Sequence, residues 1–283
     1  MARSMPKNGV RTPEQIREHY EVEKELATRL RHASREERTH LYAEVYNELY
    51  QRVPHHSQLL RKADEAARAN GVAKQMNLLK PFLRPETIFL EIGAGDCGVS
   101  CKVAEYVHHV YAIDVSVEIT RSTDQLANFD LILSDGRSIP VPAGSVTVAY
   151  SNQLMEHLHP DDALEQLQNI AHALAPGGLY ICQTPNAYLG PSDISKHFDD
   201  VATGLHLKEY TTSELIPLFR TAGFSKFFVY TGTNKGKGFF LRLPTSPVVW
   251  IEYLVAKVPH AHRKTLLRRM HLHKLLGRIM AIK

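Results

Sequence analysis

Phe89-Leu90-Glu91-Ile92-Gly93-Ala94-Gly95-Asp96-Cys97-Gly98 places a carboxylate inside an apolar run and follows it at once with a glycine-rich segment. The pattern predicts a buried strand, a tight turn and then a helix over residues 99–107. Glycine lets the backbone turn sharply and approach a ligand closely, and the amides at a helix start face that ligand. The spacing of Gly93, Gly95 and Gly98 also fits the dinucleotide fingerprint, and a loop that merely turns the chain has the same spacing.

Further strand ends converge on the same place. Residues 110–113, Val-Tyr-Ala-Ile, run into Asp114, about twenty residues beyond the loop, where an acid accepts hydrogen bonds from a ribose. Residues 129–134 read as a strand ending at Asp135-Gly136, and residues 145–150 as one ending at Ser151-Asn152. Ligands of doubly wound parallel sheets bind just outside the C-terminal edge of the strands, so one ligand can reach all four ends.

Over roughly residues 75–245 the chain resembles the class I methyltransferases that use S-adenosylmethionine (SAM). Glu91-Ile92-Gly93-Ala94-Gly95 stands where that family has E/D-x-G-x-G, and residues 174–178, Leu-Ala-Pro-Gly-Gly, followed by residues 179–182 look like its turn and fifth strand. The resemblance implies that Gly93, Ala94 and Gly95 approach SAM, that Asp114 meets the ribose with Val115 also at the cofactor, and that Asp135 and Gly136 lie on the adenine side. Ser151 and Asn152 would flank the methionine moiety, with Glu91 facing its cationic amino-acid end. The implied fold is α/β, a Rossmann-like seven-stranded, mostly parallel sheet with the last strand antiparallel, preceded by an N-terminal helical cap. Its closing pair is expected as a hairpin of residues 224–230 and 239–243 about a turn at 233–238. An NAD-dependent oxidoreductase is the weaker alternative, because it accounts neither for the ordered series of strand ends nor for a carboxylate at position 91.

The chain divides into a helical cap (1–80), a SAM-binding domain (81–245) and a basic helical extension (246–283). Thr12-Pro13-Glu14-Gln15 and Ser34-Arg35-Glu36-Glu37 are two capping boxes. The second helix puts Leu41, Val45 and Leu49 on one face beside Tyr42, Tyr46 and Tyr50, a stripe that reads as packing. Pro54 ends it; a third helix spans about 57–70, with Gly71 capping it before another begins. In the family such helices cover the cofactor, and Tyr20 and Tyr46 are the tyrosines expected at substrate.

With 283 residues, 43% hydrophobic and 23% charged, the composition is that of an ordinary globular protein. No signal-peptide core follows Met1 and no run reaches a membrane span, so a cytoplasmic protein is expected. Cys97, Cys101 and Cys182 lack the number and spacing of a disulfide framework or zinc site. A net charge of +4 does not mark a nucleic-acid binder, but residues 257–283 carry cations and no acid. Leu266, Leu267, Met270, Leu275, Ile279 and Met280 would line an apolar helical stripe there. Docking on the protein body is expected of it, with a membrane surface or an acidic partner as alternatives.

Residues 188–207 lack periodicity and are long for a connection, which suggests a substrate lid. They hold Tyr188, His197, Phe198 and His206. Methyl transfer is an in-line displacement that rests on alignment, and a hydroxyl or amine acceptor also loses a proton. His157, just beyond the fourth strand, is the first candidate base, with His197 and His206 after it. Glu156-His157 resembles part of the metal set of quinone-ring O-methyltransferases, but Gln153 stands where they have a further glutamate, so no metal is expected. The fourth-strand end lacks the Asn/Asp-Pro-Pro-aromatic signature of many nucleic-acid and amino-N methyltransferases, so DNA is not expected as substrate. The acceptor expected is a small-molecule, lipid or glycan-like hydroxyl. A SAM-binding assembly or regulatory protein without turnover is the alternative.

Overall fold

The structure, a computed structural model, describes residues 11–120, 126–232 and 240–283. The segment after Met1 and the turn at 233–238 lie outside the described residues. Thr12 and Ser34 cap α1 (Pro13–His32) and α2 (Arg35–Arg52), each in a complete capping box with Gln15 or Glu37. The expected third helix is instead two. Asp64 ends α3 (Ser57–Ala63) and caps α4 (Glu65–Leu79) by accepting from Ala67 N, so Gly71 lies inside α4 and caps nothing.

Strands β1 (Ile88–Ile92), β2 (His109–Asp114), β3 (Phe129–Leu133), β4 (Val146–Asn152) and β5 (Leu174–Gln183) are parallel neighbours in the order β3-β2-β1-β4-β5. They are joined through α5 (Gly98–Ala104), α6 (Val117–Thr120) and α7 (Pro160–Ala173), and β5 leads on to α8 (Thr212–Thr221). Side chains alternate across the sheet. Leu90, Ile92, Ala149, Tyr180 and Cys182 join the larger core, with α1, α2, α7 and α8 residues, whereas Phe89, Val148, Tyr150 and Ile181 pack with α4 and α5.

The far half of the sheet differs from expectation. β6 (Lys226–Gly232) and β7 (Phe240–Pro244) form the expected antiparallel pair. The strand that joins them to β5 is β8 (Arg278–Ile282), which follows α9 (Thr245–Ala256) and α10 (His260–Arg269) and runs antiparallel to both β5 and β6. The sheet therefore has eight described strands, with β7 at its edge, and residues 278–282 are a central strand rather than part of a helical extension. Two physical causes account for this. A short apolar run fits helix and strand alike, and Gly277, at φ +76°, turns the chain away from helix. A side chain at position 277 would strike the Thr184 carbonyl.

Ile279, Met280 and Ala281 are fully buried, Met280 on one face of the sheet and the other two on the opposite face. Ile279→Ala should lower unfolding free energy by about 2–5 kcal/mol in urea titration. A peripheral segment would lose less than about 0.5 kcal/mol.

Candidate active site

The register brings the strand ends to one place. Ile92 pairs with Ile113 on one side and Ser151 on the other, so Gly93, Asp114 and Asn152 leave the sheet together. Gly93 N and Ala94 N both donate to Ile113 O, at 2.8 and 3.0 Å. Asp114 then fixes the turn: Oδ2 accepts from Gly95 N at 2.7 Å, and Oδ1 from Val115 N and Ser116 N at 2.8 and 3.0 Å. Gly93 has φ +73°, a conformation that favours glycine, and a Cβ there would sit 3.1 Å from the Leu154 side chain.

Two adjoining cavities meet at this turn. The first is lined by Gly93, Gly95, Asp114, Val115, Gly136, Asn152 and His157, and is roofed by Tyr42, Tyr46 and Tyr50 of α2. The second shares Gly93, Gly95 and Asn152, and adds Glu91, Ala94 and Asp96 with Arg61, Lys62 and Arg68 from α3 and α4. Glu91 is buried and accepts from the Ser100 hydroxyl, and burial pushes its carboxyl up to about 8. Arg68 Nε donates to Asp96 Oδ2 at 2.8 Å, holding α4 against the loop.

Behind the first cavity lies a polar cluster. His157 gives its Nδ1 proton to Leu205 O at 2.9 Å, and burial lowers its pKa to about 3, so the ring is neutral. His206 stands edge-on to it, 4.8 Å between centroids, and its Nδ1 faces Glu209 Oε1 at 2.7 Å. Against its burial, Glu209 and Glu156 raise the His206 pKa. Glu156 is fully buried, and that burial lifts its carboxyl to about 7. The Tyr46 ring lies edge-on to His157, 5.9 Å away, and its buried hydroxyl has no hydrogen-bond partner among the described residues.

The remaining sequence candidates lie elsewhere. Asp135 folds back on its own turn, accepting from Arg137 N and Ser138 N at 2.9 and 2.7 Å, and lines neither cavity. The Ser151 hydroxyl is buried against Tyr180 OH at 2.7 Å. Tyr20 stacks on Phe198 at 4.3 Å and donates to Asp199, which ties α1 to residues 188–207. His197 is exposed on the outer side of that contact, next to α1. Tyr188 packs under Arg263, near the C-terminal helices. The expected lid is thus strapped to α1, with Arg31 donating to the carbonyls of Thr203, Gly204 and His206.

Sequence reasoning missed Tyr42, Tyr50, Gln58 and the Arg61, Lys62 and Arg68 group. The tyrosine spacing carried the signal, but nothing in it tells a roof from a core stripe.

Residues 89–178 match the family model for a methyltransferase domain. No curated protein matches the chain. Among solved structures, Haemonchus contortus phosphoethanolamine N-methyltransferase 1 in complex with phosphoethanolamine and S-adenosylhomocysteine is 15% identical with a TM-score of 0.56, over 89% of this chain and 50% of that one. The Haloferax volcanii methyltransferase complex with the Trm112 activator gives 14% identity and 0.53, over 78% and 95%. An Archaeoglobus fulgidus SAM-dependent methyltransferase gives 17% and 0.50, over 76% and 94%. At such identities the likeness is one of fold. Residues 89–178 thus carry a methyltransferase-domain match on a fold shared with SAM-dependent methyltransferases.

In the ligand-free chain, Glu91 keeps its proton up to about pH 8, whereas the unfolded chain releases it near 4.5. Folding therefore takes up a proton between those values, and this contribution to stability falls as pH rises through the window. Melting curves of Glu91→Gln and wild type should show a Tm difference that shifts in favour of Glu91→Gln from about pH 5 to about pH 8. A pH-independent difference would contradict this state of Glu91.

Proposed function

We propose that the chain methylates a hydroxyl of a small-molecule, lipid or glycan-like acceptor seated beneath Tyr46 and Tyr50 against His157. Asp114 receives the ribose of SAM, Val115 and Gly136 flank the adenine, and Gly93, Ala94 and Gly95 allow close approach. Glu91 takes the ammonium end, and the cations of the second cavity suit the carboxylate beside it. SAM supplies a methyl group that passes from sulfonium to acceptor oxygen.

The observation that carries the acceptor chemistry is the state of His157. With Nδ1 committed to Leu205 and the ring neutral, Nε2 holds a lone pair on which a hydroxyl can hydrogen-bond; burial makes the ring a weak base, so it takes the proton only as the attacking oxygen becomes acidic on bonding to the methyl carbon. Among the described residues Asp114 is the only acid lining the first cavity, and with the ribose on it the acceptor wall offers no further carboxylate to select a cationic amine.

The uncharged face of α9 exposes Trp250, Tyr253 and Leu254, and Met270 is exposed at the end of the basic α10, which supports contact with a membrane surface or an acidic partner. No helix is long and apolar enough to cross a membrane.

Calorimetry should show Asp114→Ala weakening SAM binding by about 10- to 100-fold. His157→Ala should leave SAM affinity within about threefold and lower kcat on a hydroxyl acceptor, found by screening with labelled SAM, by about 10²–10⁴. Unchanged affinity in the first variant removes Asp114 from the cofactor site, and retained turnover in the second removes His157 from proton acceptance. Pairing Glu91 with an ammonium draws off its proton, so titrations near pH 7 in buffers of different ionisation enthalpy should show proton release that is lost in Glu91→Gln. Equal release by both proteins would place the ammonium elsewhere.

A further inference from the structure

With His206 and Glu156 unprotonated, the cluster behind the first cavity offers more lone pairs than donors. Hydrogen bonds from Nδ1 of His157 to Leu205 O and from Nδ1 of His206 to Glu209 select, for the neutral rings, the tautomers that leave both Nε2 atoms as acceptors. Among the described residues nothing donates to either. Glu156 Oε2 accepts from Thr184 at 2.8 Å, but Oε1 is buried with no partner and faces His206 Nε2 at 4.0 Å. Ligating atoms of the three side chains all lie within 4.8 Å of one another. Two imidazoles and a carboxylate converging without a donor match the ligand set of a late first-row divalent cation. The outer contacts fit as well. A histidine ligand usually gives its other N–H to a carboxylate or a carbonyl, as His206 does to Glu209 and His157 to Leu205.

We propose that Glu156, His157 and His206 bind one divalent transition-metal ion, of the zinc class, as a three-ligand site. The quinone-ring resemblance implies a different set, completed by a glutamate where this chain has Gln153. Here the third ligand comes from the segment beyond the fifth strand. The ion would therefore pin that segment to the end of β4 and place positive charge beside the acceptor wall. In the metal-loaded protein the Nε2 lone pair of His157 is taken by the ion, so the proton acceptance proposed above belongs to the metal-free protein.

A second group of the same composition, His19, Glu23 and His56, provides an internal contrast. Arg11 donates to His19 Nδ1 at 2.7 Å and Gln58 N to His56 Nδ1 at 3.3 Å. Both Nε2 atoms are thereby the protonated ones and point their hydrogens at Glu23, at 2.6 and 3.8 Å. Both Nδ1 lone pairs are already taken by donors, which leaves hydrogens rather than lone pairs on the Nε2 atoms, so it is a structural network rather than a cation site.

The test is metal titration of the full chain after chelation, using Zn²⁺ by calorimetry and Co²⁺ by visible absorption. The wild type should bind one equivalent, and Co²⁺ should give the ligand-field bands of a nitrogen/oxygen site. His206→Ala and Glu156→Gln should abolish binding, Glu209→Gln should weaken it about 10- to 100-fold, and His19→Gln should retain it. Wild-type binding alone stays decisive where a variant fails to fold, because absence of a bound equivalent overturns the proposal, leaving a proton on His206 as the bridging charge. Binding that survives His206→Ala, or is lost only in His19→Gln, overturns it too.

Discussion

Asp114 spends its two carboxylate oxygens on three backbone amides, and the rest of the site depends on that arrangement. Gly95 N lies in the loop after β1, and Val115 N and Ser116 N in the loop after β2, so one side chain fixes two loops against each other. A buried amide left without an acceptor costs about 1–3 kcal/mol, so each loop conformation is stable only while the other is in place. A carboxylate oxygen that has accepted such bonds retains lone-pair capacity on its outer side. The group that shapes the turn is, in the proposed function, also the one that receives the ribose, which would join structure and cofactor recognition in a single residue.

The helical cap is tied on by an equally economical device. Arg38 of α2 makes a bidentate pair with the fully buried Asp162 of α7, at 2.6 and 2.9 Å, and Tyr42 donates to the same carboxylate at 2.8 Å. Buried pairs of this kind add little net stability over apolar residues, but losing one partner strands a charge, so they fix position strongly. Here that position sets Tyr42 against Gly136, where a Cβ would stand 3.2 Å from the ring. Tyr46 and Tyr50 follow on the same helix face, one and two turns further along, and complete the roof.

The half of the sheet from β1 to β5 was legible because each strand pairs a buried apolar run with a polar residue or glycine at its C-terminal end. Positions 93, 114 and 152 could be placed from that pattern alone. Positions 135 and 151 could not, since a one-residue alternation or a tight turn decides whether a side chain meets the cavity or its own backbone. The C-terminal strand was read as helix because Leu275 and Ile279 keep a helical spacing, and only Gly277 marks the change. The roof tyrosines and the meeting of Glu156 with His206 rest on contacts between segments far apart in the chain, which no local periodicity encodes.

The account stands on one placement, that of SAM across the ends of β1, β2 and β4 with its reactive sulfur toward the Tyr46 and His157 wall. A crystal structure with S-adenosylhomocysteine tests it most directly. The ribose hydroxyls should lie on Asp114, the amino-acid end by Glu91 in the second cavity, and the sulfur should open toward His157. A product molecule that leaves Asp114 untouched, or that directs its amino-acid end at His157, would contradict the account.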